Sequence, residues 1–187
     1  MFPPVREAPV GLRRKVPAVA VFLALASLLM SLPVLATTVR RLGMEEIVGA
    51  ADTIVEGRVL SIRSFWQDRL IYTEVIVAVG RTLKGPRADT VRFVQLGGRV
   101  DGPVPLETTV PGAPIYRVGD EAYFFLEPGR PGDRIVVGLF QGHVPLRRDA
   151  QGEYVGAGSA RRSPAQFEEE IRRHMAGQKQ DRTGGGP

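Results

Sequence analysis

For seventeen residues, 16–32, the chain carries no charge and is rich in Val, Ala and Leu, so a helix there would be apolar all round and suited to a bilayer. After it the period changes. Leu42, Ile47, Ala50 and Ala51, with Glu45 and Glu46 in the first turn, where the helix dipole favours acidic side chains, predict a short helix over residues 42–51. Residues 53–63 then alternate as a strand does, with Ile54, Glu56 and Arg58 opposite Val55, Gly57 and Val59. A polar connection around Trp66 and Asp68 occupies residues 64–69. Beyond it, residues 70–83 read as a long strand with Ile71, Thr73, Val75, Val77 and Val79 on one face, completing a hairpin.

Lys84-Gly85-Pro86 breaks that strand, and alternation resumes over residues 90–96, where Val91 and Phe93 alternate with Arg92 and Val94. Residues 97–119 are dominated by Gly and Pro. They predict a long loop with one short strand near 104–108, of the kind that carries binding elements. Residues 121–127 form an apolar run of buried-strand length, and 128–133 a turn. A further strand over 134–140 continues past Gly142 to 146, with Gly138 or Gly142 marking a bulge or bend. The expected fold is mainly β: a small OB-like or Greek-key barrel of about six strands with a short N-terminal helix and a C-terminal helix. Ser163 as N-cap, Pro164 in the first turn, and Phe167, Ile171 and Met175 on one face predict that last helix. Gly177 is its expected end.

The domain plan is a signal peptide over residues 1–36, a barrel-like domain over 37–158, a helix over 159–177 and a disordered tail over 178–187. Arg13-Arg14-Lys15 precedes the apolar segment, Pro33 follows it, and Val34-Leu35-Ala36 offers the small side chains that signal peptidase requires. Cleavage after Ala36 would leave 151 residues outside the cytoplasm, periplasmic or secreted. The rival reading is an uncleaved anchor, since the segment approaches the roughly 20 residues that span a bilayer. No cysteine is present. The lipid anchor of a bacterial lipoprotein, disulfides, thiolate metal sites and thiol catalysis are thereby excluded.

The formal charge of +5 is concentrated at the ends: residues 37–158 hold fifteen basic and fifteen acidic side chains. A nucleic-acid-binding face is therefore not expected. Arginine outnumbers lysine 22 to 3, but the arginines are dispersed, which favours coding bias over anion recognition. His143 and His174 are the only histidines. His143, after Gly142, is the better candidate base, although a structural role fits a strand-end histidine as well. Glu45-Glu46 and Glu168-Glu169-Glu170 are contiguous runs that read as exposed helix positions. Gly97-Gly98 reads as a turn and not a phosphate loop, because no helix follows. No catalytic set, metal site or cofactor motif is expected.

Several segments carry a resemblance: Ala51-Asp52-Thr53-Ile54-Val55-Glu56-Gly57-Arg58-Val59, Ile71-Tyr72-Thr73, Leu83-Lys84-Gly85, Leu96-Gly97-Gly98, Pro111-Gly112-Ala113-Pro114, Gly119-Asp120-Glu121 and Val137-Gly138-Leu139-Phe140-Gln141-Gly142. Together, across roughly residues 42–148, they resemble a family of uncharacterised exported bacterial proteins. The resemblance implies an OB-like domain, an architecture also used by tissue inhibitors of metalloproteinases, and no activity.

The functional expectation is a non-enzymatic extracytoplasmic binding or protein-interaction module. Its partner would be a protein or glycan outside the cytoplasm, with membrane contact only through a retained leader. Candidate binding residues are Phe65, Trp66, Arg69, Tyr72, Tyr116 and His143, centred on the hairpin tip and the 97–119 loop. The alternatives are a secreted hydrolase using His143 and an inhibitor of a secreted protease.

Overall fold

Residues 122–126, Ala-Tyr-Phe-Phe-Leu, are all buried, and their side chains divide between two cores. Ala122, Phe124 and Leu126 join Val55, Val59, Val75, Val77, Val91 and Phe93 on one face of the sheet. Tyr123 and Phe125 join Ile47, Val48, Ile54, Phe167 and Ile171 on the other. A strand buried on both sides shows no polar face, so this segment is apolar without alternation.

The computed structural model describes residues 40–157 and 160–184. Its elements are α1 (Met44–Ala50), β1 (Thr53–Gln67), β2 (Leu70–Lys84), β3 (Thr90–Leu96), β4 (Gly98–Val100), β5 (Leu106–Thr108), β6 (Glu121–Pro128), β7 (Arg134–Val136), β8 (His143–Asp149), β9 (Gly152–Val155) and α2 (Pro164–Gly184). The expected leader and its cut after Ala36 lie outside the described residues.

The main sheet is antiparallel in the order β3-β2-β1-β6-β8-β9, with β7 also pairing β6, while β4 and β5 form a separate two-stranded hairpin. The protein is thus mainly β with two helices among the described residues, but the expected barrel does not close. β3 ends the strand path and has no backbone pairing to β7. Arg92 Nη1 instead donates to Asp133 Oδ1 at 2.6 Å, and Val91 and Val136 share a core. Closure fails because β7 stops after three residues. Gly138 and Leu139, at φ 63° and 68°, turn the chain back toward β8 and leave no strand to run along β3. The strand expected over 134–140 is therefore a short strand and a tight turn.

β1 and β2 pair as far as Gln67 and Leu70. Asp68 and Arg69, both with positive φ (50° and 65°), make the two-residue turn whose twist suits a hairpin. Residues 64–67, expected as a connection, are strand. The 97–119 loop carries two strands where one was expected, and Gly98 begins one of them.

Both helices cover the second core. Ser163 Oγ accepts the Gln166 N–H at 3.3 Å while Gln166 Oε1 accepts the Ser163 N–H at 3.0 Å, a reciprocal cap before Pro164. α2 passes its expected stop at Gly177 and continues to Gly184. Just past that glycine, Gln178 Nε2 donates to Glu45 O at 3.0 Å and ties α2 to α1. Glu168 also departs from expectation. It is only 2% exposed, accepting from Tyr123 Oη at 3.0 Å, from Arg81 and from Arg172 Nη2 at 3.2 Å.

Candidate functional site

Strand register builds the first core in rows across the sheet. Val59, Val77 and Val91 form one row, and Ile62, Val75 and Phe93 the next. The following row on the same face is Ser64, Thr73 and Gln95. The core therefore changes from hydrocarbon to neutral hydrogen-bonding groups within one strand step. Thr73 Oγ1 donates to Gly97 O at 2.7 Å. Because a hydroxyl has one proton, Ser64 must be the donor in its 3.0 Å contact with Thr73. Gln95 Nε2 donates to Pro114 O at 3.2 Å.

This row floors a half-open cleft of about 250 Å³. The β4–β5 hairpin and residues 108–116 form its other walls, with Arg99 and Glu107 directly opposite each other at the rim. Gly98 crosses the floor at φ 132°, where a Cβ would run into the Thr73 and Ser64 hydroxyls, so only glycine fits. Two buried polar atoms among the cleft-lining residues have no hydrogen-bond partner: Gln95 Oε1 and the Tyr116 hydroxyl. Tyr116 is 7% exposed. Its ring lies 5.4 Å from Phe93 and 5.1 Å from His143, and burial raises its hydroxyl pKa well above the tyrosine norm. It stays protonated and able to donate.

The residues singled out from the sequence fall into separate places. Phe65 and Tyr72 are cross-strand partners with ring centroids 6.2 Å apart, on the face opposite the cleft row. Arg63 lies over Phe65 at 5.8 Å and Arg130 over Tyr72 at 5.0 Å. Arg130 also donates to the Tyr72 hydroxyl at 2.7 Å and to Asp68 at 3.0 Å. Trp66, 51% exposed, shares the face of Ser64 one step nearer the hairpin tip. Arg69 sits exposed in the turn.

Tyr116 and His143 are brought together beside the cleft, away from the Phe65–Tyr72 pair. His143 packs against Tyr116 and Phe124. Burial pushes its pKa down to about 4, against the opposing charge of Asp120, so the imidazole is neutral near pH 7. Among the described residues no hydroxyl or carboxylate is hydrogen-bonded to it, and Asp120 Oδ2 is occupied by the Arg117 N–H at 2.8 Å. Nor are the cleft hydroxyls activated: Ser64 donates to Thr73 and Thr73 to a carbonyl, neither of which is a base. The cleft offers hydrogen-bonding groups beside apolar walls.

Ser64, Gln95 and Gly98 were not among the sequence candidates. A signal existed for Gln95, which follows Val91 and Phe93 on their face. No group of three or more His, Cys, Asp or Glu that could hold a metal is present among the described residues. No helix there is long and apolar enough to cross a membrane. No protein-family model, curated protein or solved structure matches the chain. The functional reading therefore rests on the residues themselves.

Proposed function

We propose that this chain is an exported, non-enzymatic binding module whose ligand enters the cleft between the Ser64–Thr73–Gln95 row and the β4–β5 hairpin. One observation carries the reading: Gln95 Oε1 and the Tyr116 hydroxyl are buried at a half-open cleft without partners. Each such atom costs about 1–3 kcal/mol when left unsatisfied, and a ligand offering the complementary groups removes that cost. The leader pattern supports a site of action outside the cytoplasm. The partial order β3-β2-β1-β6-β7, with Val91 of β3 and Val136 of β7 in one core, supports an OB-like barrel opened along one seam. The cleft is then at the barrel mouth, a common place for ligands.

The test is ligand recovery from an exporting bacterial host. Wild type and Ser64→Leu, whose longer side chain fills the cleft, are purified as full chains and their co-purifying extracytoplasmic molecules compared by mass spectrometry. A ligand held by wild type and lost from an equally stable Ser64→Leu is expected. Equal recovery from both proteins overturns the cleft as the site. N-terminal sequencing of the released product is expected to begin at Thr37, and a full-length cytoplasmic product contradicts export.

A further inference from the structure

We infer that the cleft's ligand is an uncharged peptide segment, with one apolar side chain seated beside Ile62 and Val110 and its flanking amide groups bonded to Gln95 and Tyr116. The inference rests on the binding-module reading and adds the chemistry of the ligand. The Gln95 amide is oriented by its donation to Pro114 O, which leaves Oε1 as a pure acceptor. The Tyr116 hydroxyl, with no acceptor of its own, is a donor. A site with one unpaired acceptor and one unpaired donor, both closed to bulk solvent, matches a group that supplies an N–H and a C=O, which is what a peptide backbone presents at every residue.

Charge and size narrow the choice. The rim charges compensate one another: Arg99 stands opposite Glu107 and donates to Asp101 at 3.1 Å. The floor is neutral throughout, so neither an anion nor a cation is favoured over an uncharged ligand. At about 250 Å³ the cleft holds the equivalent of about eight waters at ~30 Å³ each, close to the heavy-atom count of a single leucine residue. Ile62, Val110, Ala113, Pro114 and Ile115 supply apolar walls. Sugar rings usually need an open aromatic face, whereas the Tyr116 ring is occupied by Phe93, Phe124 and His143. These features favour peptide over glycan.

The experiment titrates the isotopically labelled full chain with acetyl-Ala-Leu-Ala-amide, acetyl-Ala-Asp-Ala-amide and N-acetylglucosamine, following backbone amides by NMR. The leucine peptide is expected to shift residues 62–64, 73, 95–99 and 108–116. The aspartate peptide should bind at least about tenfold more weakly, because a carboxylate in the apolar cleft loses its hydration. Gln95→Leu and Tyr116→Phe should each weaken the leucine peptide at least about fivefold, the loss expected for one hydrogen bond; Tyr116→Phe should not lower the unfolding midpoint, and Gln95→Leu, which also gives up its bond to Pro114 O, should leave it close to wild type. Undiminished binding by both variants overturns the assigned contacts. If N-acetylglucosamine shifts these residues and the peptides do not, the peptide assignment falls while the binding cleft stands. Silence with every probe also overturns the peptide assignment, and ligand recovery by wild type against Ser64→Leu then decides the binding-module reading separately.

Discussion

Two polar clusters sit inside this protein, one on each face of the sheet, and they are completed differently. Beneath α2, Glu168 gathers Tyr123, Arg81 and Arg172 on its two oxygens, so a buried carboxylate has partners from its own helix and from two strands. Beside the β4–β5 hairpin, Gln95 and Tyr116 are also buried polar groups, yet each ends in an atom that nothing on the chain satisfies. The first cluster fastens a helix to the sheet. The second ties β3 to Pro114 through one amide hydrogen bond, and its two unpaired atoms belong to residues that line a cleft. Completeness of hydrogen bonding is thus what distinguishes these two clusters.

The comparison is broken most directly at Glu168. Glu168→Ala removes the acceptor for Tyr123 and the anion for Arg81 and Arg172, and should lower the unfolding free energy by about 2–3 kcal/mol in urea titration. The arginines are roughly half exposed, which keeps the loss below that of a fully buried pair. Peptide binding at the cleft should be unchanged. A stability loss under about 0.5 kcal/mol would place Glu168 among the dispensable polar groups.

His143 sharpens the cleft side. Its pKa is depressed in the folded state to about 4 from 6.5, so the neutral ring is the form that folding favours. Its stabilising effect is complete above pH 6.5 and is lost as the pH falls toward 4, on the order of 3 kcal/mol. Glu56 acts in the opposite sense. Its pKa is raised, chiefly by burial, so its contribution is fullest at acid pH and fades as the pH rises through its folded value. Subtracting the pH–stability curve of His143→Phe isolates the histidine, and parallel curves between pH 4 and 6.5 would refute the assignment. Phe suits a slot between Tyr116 and Phe124, so that variant should also keep its ligand.

The smallest effect belongs to Ile115, 85% exposed at the cleft rim. Ile115→Ser should change stability by less than about 0.5 kcal/mol while weakening the leucine peptide about twofold to threefold through lost apolar contact. An unchanged affinity, read from the same NMR titration, removes Ile115 from the site.

Much of the β framework could be read from alternation, because β2 and β3 each bury one face and β6 buries both. Thr73 already stood in the apolar stripe of β2. Ser64 was hidden because the pairing of β1 with β2 shifts between Val59 and Ser61, and a one-residue shift exchanges the faces of all that follows. That shift puts Ser64 inward and sends Phe65 outward to Tyr72, dividing a cluster that looks single in sequence. Glu168 was hidden for another reason: its partners Arg81 and Tyr123 come from distant strands, and a run of three glutamates does not reveal which one they meet. The Tyr116 hydroxyl and Gln95 Oε1 could not be recognised as open until every neighbouring donor and acceptor had been placed.

The central claim, that the Gln95 end of the core is open for a ligand, is tested most directly by measuring stability and affinity on the same Gln95→Leu protein. Urea unfolding should show a midpoint close to wild type, since replacing an unsatisfied acceptor by hydrocarbon offsets the lost bond from Nε2 to Pro114 O, while NMR titration shows weakened binding of acetyl-Ala-Leu-Ala-amide. A less stable protein that binds the peptide as well as wild type would contradict the account and make Gln95 part of the scaffold.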